Sequence, residues 1–199
     1  FVAGSIPASE HSVATTNIGS TVAEFDKHES WSTISLDSKR YLAEQDFLKK
    51  YITELFPTGF VSYVADSYDF WSVITRMSSY LKPEIMARDG RVVFRPDSGV
   101  PEHIIAGYSW DGVDYSSWNM MDGGEQICNY EAVKVNGKFY KIVDCSYIDS
   151  GNEIPDHEIK GAVECLWEIF GGTVTDKGFK VLDSHVGLIY GDSITISRA

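Results

Sequence analysis

Two hydrophobic rhythms alternate along the chain. After a Ser-, Thr-, Gly- and Ala-rich stretch over residues 1–35, opened by a short apolar entry at Phe1 to Ile6, Asp37-Ser38 can cap a helix. Its apolar residues Tyr41, Phe47, Leu48, Tyr51, Ile52 and Leu55 recur at helical spacing, and Pro57 and Gly59 end it. Residues 60–65 (Phe-Val-Ser-Tyr-Val-Ala) form a short β-rich run that stops at Asp66-Ser67-Tyr68-Asp69. A helix through Phe70, Val73, Ile74, Met77 and Leu81 follows, and Pro83 closes it or opens the next turn. Arg91-Val92-Val93-Phe94 reads as a third strand, ended by Arg95-Pro96-Asp97-Ser98-Gly99. Further on, residues 156–170 read as an amphipathic helix with Ile159, Val163, Leu166, Trp167 and Phe170 on its apolar side and Gly171-Gly172 at its end. Val186-Gly187-Leu188-Ile189-Tyr190 is a last strand, ended by Gly191-Asp192-Ser193.

Strands alternating with helices predict parallel strands and an α/β fold. Residues 100–152 break that rhythm. They carry Tyr108, Trp110, Tyr115, Trp118, Tyr130 and Tyr140, and they place Asn136-Gly137 between two β-rich runs. Asn-Gly accepts positive φ at both positions, so a hairpin is predicted there. The organisation expected is residues 1–99 as a first part of an α/β unit, 100–152 as an inserted β-rich subdomain, and 153–199 as the return to the α/β unit. The aromatic residues of the insertion suit either a small core of their own or a sugar-binding or partner surface.

Composition narrows the function classes. The chain has 199 residues, a net charge of -12 and 43% hydrophobic residues. That acidity disfavours nucleic acid and anionic membrane surfaces as partners. No run of 18 apolar residues occurs, so no transmembrane helix is expected. Three cysteines without Cys-x-x-Cys spacing (Cys128, Cys145 and Cys165) suit reduced thiols and a cytoplasmic setting better than a disulfide framework. The start at Phe1 and the stop at Ala199 suggest a piece of a longer protein.

The candidate chemistry lies at the strand ends, where polar, acid-bearing turns recur: Glu10-His11 after Ile6, Asp66 and Asp69 after Val64, Arg95 and Asp97 after Phe94, and Asp192 after Tyr190. In a parallel α/β barrel the C-terminal ends of the strands form the active site, where acids can hold sugar hydroxyls, orient a base or bind Mg²⁺. The same residues also suit plain capping of the following helices. His11 suits an acid, base or nucleophile, or a structural role. Arg95 is held extended by Pro96, so its guanidinium can meet a phosphate or an aromatic ring, or else pair with Asp97 or Asp69. His28, His103, His157 and His185 show no zinc-ligand spacing, and no metal ligands are assigned.

Taken together these segments resemble nicotinamide phosphoribosyltransferases. Ile6-Pro7-Ala8-Ser9-Glu10-His11-Ser12 is similar to their Pro-Ala-Ala-Glu-His-Ser, Val64-Ala65-Asp66-Ser67-Tyr68-Asp69 to their Val-Ser-Asp-Ser-Tyr-Asp, and Arg95-Pro96-Asp97-Ser98-Gly99 matches their Arg-Pro-Asp-Ser-Gly. Lys177-Gly178-Phe179-Lys180-Val181-Leu182 and Ile189-Tyr190-Gly191-Asp192-Ser193 resemble later segments, and the bacterial and phage branch is the nearer match. The resemblance implies a type II phosphoribosyltransferase: part of an irregular α/β barrel, assembled as a homodimer, that joins nicotinamide to 5-phosphoribosyl 1-pyrophosphate in NAD salvage. It implies Mg²⁺ with the pyrophosphate, and ATP hydrolysed through a phosphohistidine. By position, His11 would be that histidine with Glu10 supporting it. Asp97 would face the reacting centre, Arg95 the nicotinamide and phosphate end, and Asp66 the pocket near the histidine. Asp69 is expected beside Asp66 in the substrate pocket, and Gly191 with Asp192 would hold the ribose hydroxyls.

Three departures qualify it. Ser9 stands where the family has a second Ala, residues 100–152 are longer than the usual connection, and the family's upstream aromatic clamp and downstream glycine-rich loop are not in these 199 residues. The piece alone is therefore expected to be inactive. Two other readings are a nicotinate-specific relative and a non-catalytic binding or regulatory domain of the same fold.

Overall fold

A computed structural model describes residues 6–117, 129–143, 146–147 and 150–190. The elements alternate helix and strand: α1 (His11–Phe25), α2 (Leu36–Lys50), β1 (Thr58–Val64), α3 (Phe70–Ser72), α4 (Ser78–Tyr80), α5 (Lys82–Met86), β2 (Asp89–Arg95), α6 (Pro101–Ala106), β3 (Asp114–Tyr115), β4 (Ala132–Val135), β5 (Lys138–Val143), β6 (Ser146–Tyr147), β7 (Glu153–Ile154), α7 (Asp156–Phe170), β8 (Gly172–Val174), β9 (Lys180–Leu182) and β10 (Val186–Leu188). The chain is mixed α/β. It divides into two compact units, one made by the chain up to Ser98 together with the chain from Leu166 onward, the other by Gly99–Cys165.

The first unit is built on a parallel sheet in the order β1-β2-β10. Val61 and Tyr63 of β1 pair with Val92 and Phe94 of β2, and Val186 and Leu188 of β10 pair with the same two residues from the other side. The segment before α1 joins the sheet as well, because Ala8 bridges Ser62 in parallel. Four chain segments therefore run the same way, and their C-terminal ends lie along one edge of the sheet. Tyr63, Val64, Val92 and Phe94 are buried, as a strand covered by helices requires.

Helix α1 is the main element that the hydrophobic pattern does not predict. Its apolar stripe is thin: Ala14, Ile18 and Val22, four residues apart, are its buried residues. Much of the rest is Ser, Thr and Asn, and Thr15, Asn17 and Thr21 turn their side chains back onto carbonyls one turn earlier. In α2 the cap is Ser35, whose hydroxyl accepts from the Ser38 amide at 3.2 Å, and not Asp37-Ser38. Asp37 falls instead in the first turn, where its charge suits the helix dipole.

The helix after α2 widens into a π turn over Tyr51–Leu55, and a second π turn, Val73–Met77, separates α3 from α4. The first is stoppered by Arg88, a buried guanidinium that donates to the carbonyls of Ile52, Phe56 and Gly59. Pro83 opens α5 and does not close the helix before it.

The second unit holds the predicted hairpin. β4 and β5 pair antiparallel, and Asn136 (φ 49°) and Gly137 (φ 81°) make the turn between them. Ala132, Phe139, Ile154 and Ile159 form its core, with Tyr108 and Trp110 packed against it. Trp110 meets Phe139 edge-on, their centroids 5.0 Å apart. Tyr108 and Trp110 thus serve a core, whereas Tyr130 is exposed; Trp118 lies outside the described residues. Helix α7 is broken at Gly161 (φ 75°), where a side chain would strike the Ala106–Gly107 backbone. Ile159, Leu166 and Phe170 are buried along α7 as the periodicity predicts, but Val163 is exposed, because the break turns the helix face between Ile159 and Leu166. Among the described residues no helix is long and apolar enough to cross a membrane.

Candidate active site

The site grows out of the sheet edge. Pro7 to Ser9 lie beside β1: the Ser62 amide donates to the Pro7 carbonyl and the Ser9 amide to the Ser62 carbonyl. The next ladder partner is a side chain. Ser9, buried, accepts from the Val64 amide through its hydroxyl at 2.7 Å. Ser9, which takes the place of an alanine in the resembling motif, thereby carries the entry segment one step further along β1. Two residues later His11 is the first residue of α1, and Glu10 occupies the cap position with no side-chain cap bond.

His11 is met by side chains from the ends of β1 and β2. Its Nδ1 lies 3.1 Å from Ser67 Oγ. Its Nε2 lies 3.4 Å from Asp66 Oδ1 and 3.6 Å from Asp97 Oδ2. The imidazole is 44% exposed, whereas the Asp66 side chain is 6% exposed. Asp66 is also the brace of the neighbouring turn: its Oδ2 accepts from the Asp97 amide at 2.9 Å and from the Ser98 hydroxyl at 2.6 Å. Its Oδ1 is buried and has no hydrogen-bond partner. Since a buried carboxylate oxygen normally finds a donor, this atom is aimed at a group that can bring a proton, and His11 is the neighbour that faces it.

Arg95 ends β2 and spans the same edge. Its Nε is 3.2 Å from Asp97 Oδ1, its Nη2 donates to the Ser9 carbonyl at 3.2 Å, and Glu10 Oε2 is 4.0 Å away. The pairing with Asp97 is the one of its two possible partners that forms. From the far side of β2, Tyr190 donates to the Ser98 carbonyl at 2.8 Å. The expected residues His11, Glu10, Asp66, Arg95 and Asp97 therefore come together at the sheet edge. Gly191 and Asp192 lie outside the described residues. Asp69 is engaged otherwise: its carboxylate caps α3, accepting from the Ser72 amide at 3.1 Å and the Ser72 hydroxyl at 2.6 Å.

One acid is invisible to motif reading. Glu44 on α2 is 1% exposed and accepts from the Tyr63 hydroxyl at 3.2 Å. Burial raises its carboxyl to about 7, against the opposing pull of that hydrogen bond, and the charge of Asp69 adds to the rise. It lines a cavity of about 630 Å³ together with Arg40, Tyr41, Tyr68, Asp69 and Arg76. Glu44 stands one turn before Leu48, but α2 buries Lys39 and Gln45 as well, so its place on the helix does not single it out in the sequence.

Chemically the edge holds three carboxylates (Glu10, Asp66, Asp97) against one guanidinium, with an accessible imidazole among them. Such a centre favours a reacting group that gains positive charge, and the imidazole can serve as base or nucleophile. Among the described residues no three His, Cys, Asp or Glu side chains are grouped as a metal cage.

A parallel α/β sheet with an acid–imidazole site at its strand ends defines the class: an α/β protein of the kind that does its chemistry at the C-terminal ends of the strands. The sequence matches the nicotinate phosphoribosyltransferase (NAPRTase) family over residues 2–199, and the chain belongs to that family. It is 38% identical over 162 residues to a protein of Acinetobacter baylyi named nicotinamide phosphoribosyltransferase, covering 78% of this chain and 24% of that protein. Proteins of the same name from Mycoplasma pneumoniae and Mycoplasma genitalium are each 29% identical, over 150 and 194 residues, covering 75% and 98% of this chain and 24% and 29% of theirs. The chain thus spans about a quarter of the length of these curated relatives.

Proposed function

We propose that the protein carrying this chain transfers the 5-phosphoribosyl group from 5-phosphoribosyl 1-pyrophosphate to nicotinamide, giving nicotinamide mononucleotide and pyrophosphate. The observation that carries the reading is the convergence of His11, Asp66 and Asp97 from three separate strand ends, in a chain whose relatives bear that enzyme's name. As the bond to pyrophosphate breaks, positive charge develops on the ribose carbon. Asp97, the more open of the two carboxylates facing His11, is the group assigned to stabilise it. Arg95 is assigned to the nicotinamide and phosphate end, and Gly191 with Asp192 to the ribose hydroxyls. His11 takes a phosphoryl group from ATP, with Glu10 beside it. Asp66 holds the histidine and the Asp97 turn in register, and Asp69 supports the pocket through its cap on α3.

Mg²⁺ is assigned to the pyrophosphate of the substrate, where it would stabilise the leaving group. The parallel sheet is read as a portion of an irregular α/β barrel, and the working assembly as a cytoplasmic homodimer.

The family's own description names nicotinate, which supports that base as the second reading. Offering both bases in one assay with the full-length protein separates the two. The expected result is nicotinamide mononucleotide formed in at least tenfold excess. Asp97→Asn should lower turnover by two or more powers of ten, the size of effect seen when one transition-state partner is removed. Normal turnover in a protein carrying both His11→Ala and Asp97→Ala would refute the assignment.

A further inference from the structure

We propose that the cavity between α2 and the segment from Tyr68 to Met77 is a second binding site, for a small organic anion: a carboxylate or phosphate head on a body that carries a hydrogen-bond acceptor. His11, Asp66, Arg95 and Asp97 do not line this cavity, so the proposal stands apart from the reading of the sheet edge. Its volume of about 630 Å³ falls inside the range of about 300–1,000 Å³ common to small-molecule sites.

Two guanidiniums set the charge preference. Arg76, on the π turn Val73–Met77, lies over the Tyr41 ring of α2, 4.2 Å from its centroid. Arg40, on α2, lies over the Tyr68 ring, 5.3 Å from its centroid. Each arginine thus rests on a ring carried by the opposite wall of the cavity. The ring attracts the charge but takes none of the N–H donors, which remain able to fork onto a carboxylate or phosphate. Among the described residues Arg76 makes no ion pair, and Arg40 makes one with Asp37 at 3.5 Å, whose side chain is 93% exposed. An ion pair that open contributes little and yields to a better acceptor.

The other acids of the cavity do not cancel the two arginines. The Asp69 carboxylate is held by the amide and the hydroxyl of Ser72 at the start of α3. Glu44 lies at the floor, and burial pushes its carboxyl up to about 7, so it is largely neutral at mildly acidic pH. Its Oε1 accepts from the Tyr63 hydroxyl, which leaves the second oxygen, when protonated, to donate to a ligand. Leu42 and Met77 add apolar lining. A cationic ligand would face both guanidiniums and would have to ionise a desolvated acid, whereas an anion meets two unspent forks and a neutral floor.

The test is methyl NMR at pH 6 on the full-length protein labelled at methionine, with Met77→Leu to assign the Met77 methyl. Met77 is buried against this cavity, so its signal reads occupancy there. Benzoate and adenosine monophosphate are the anionic probes and benzamidinium the cationic one. The expected result is saturable movement with at least one anion, half complete at about 1 mM or below, and none with benzamidinium. Benzoate alone identifies a carboxylate head and adenosine monophosphate alone a phosphate head; either supports the proposal. Arg40→Gln combined with Arg76→Gln should weaken binding at least about tenfold, as loss of hydrogen bonds to charged groups does. Arg76→Gln alone replaces the double variant if that one does not fold. Glu44→Gln keeps a donor at the floor and should bind like wild type. The proposal is overturned by no saturable movement with either anion up to about 10 mM, by movement with benzamidinium, by unchanged affinity in the arginine variants, or by loss of binding in Glu44→Gln. None of these results touches the assignment of the His11 edge.

Discussion

Individual side chains in this protein do two jobs at once, and Asp66 shows how. One oxygen is saturated by the turn that carries Asp97 and Ser98, and the other is left bare toward His11. Glu44 is the opposite case, a buried acid satisfied by Tyr63 but still desolvated. In the fold its carboxyl is pushed up to about 7 from an ordinary value of 4.5. Between those values the folded state binds a proton that the unfolded chain has released. Stability is therefore fully present below about pH 4.5, falls as pH rises through that window, and levels off above about 7. The cost is at most about 3.5 kcal/mol, from roughly 1.4 kcal/mol for each unit of pKa. Glu44→Gln mimics the protonated acid and still accepts from Tyr63. Thermal melts should show it more stable than wild type at pH 8 and level with it at pH 4.5. A variant less stable than wild type at pH 8 would mean that the Glu44 charge is wanted. His11, Asp66 and Asp97 were legible in the sequence because they follow apolar runs in short motifs. Glu44 was not, since nothing local tells a buried acid on a helix from a solvated one.

At the level of elements, legibility follows how much apolar contrast each one needs. β1 and β2 lie in a covered sheet and read as continuous apolar runs. The β4–β5 hairpin announced itself through Asn136-Gly137, which only a tight turn explains. Helix α1 needs only Ala14, Ile18 and Val22 to seat it, so its sequence resembles a loop. The hydrophobic pattern does not mark the π turns: in the second, Ser78 donates to the Val73 carbonyl, and the first is held by a distant group, Arg88. Three carbonyls around the Tyr51–Leu55 turn and the start of β1 share one planar guanidinium. Hydrogen bonds to a charged donor contribute about 1.5–3 kcal/mol each, and losses that share a donor do not add. Arg88→Ala is expected to lower stability by about 3–4 kcal/mol in urea unfolding. Arg88→Lys should recover only a small part, because an ammonium does not present a planar fork to three acceptors. Full recovery with lysine would show that the charge alone is what the π turn needs.

For the molecule as a whole, two tendencies oppose each other. Among the described residues β10 pairs only with β2, so its outer edge offers unpaired backbone groups. The β8–β9 hairpin adds Val174, Phe179 and Val181, all exposed, with Phe179 at 65%. Open edges and exposed apolar side chains favour association between chains. The net charge of -12 resists it, since like charges on two copies repel over a distance set by salt. That range shrinks from about 10 Å at 0.1 M to about 3 Å at 1 M ionic strength, while edge pairing and apolar contact are untouched by screening. The 199-residue chain should therefore sediment as a larger species when salt is raised across that range, and Phe179→Asp should move the onset to higher salt. A chain that remains monomeric at every ionic strength would mean that the edge and the hairpin are not adhesive, and that an assembly such as the proposed homodimer must draw on other surfaces.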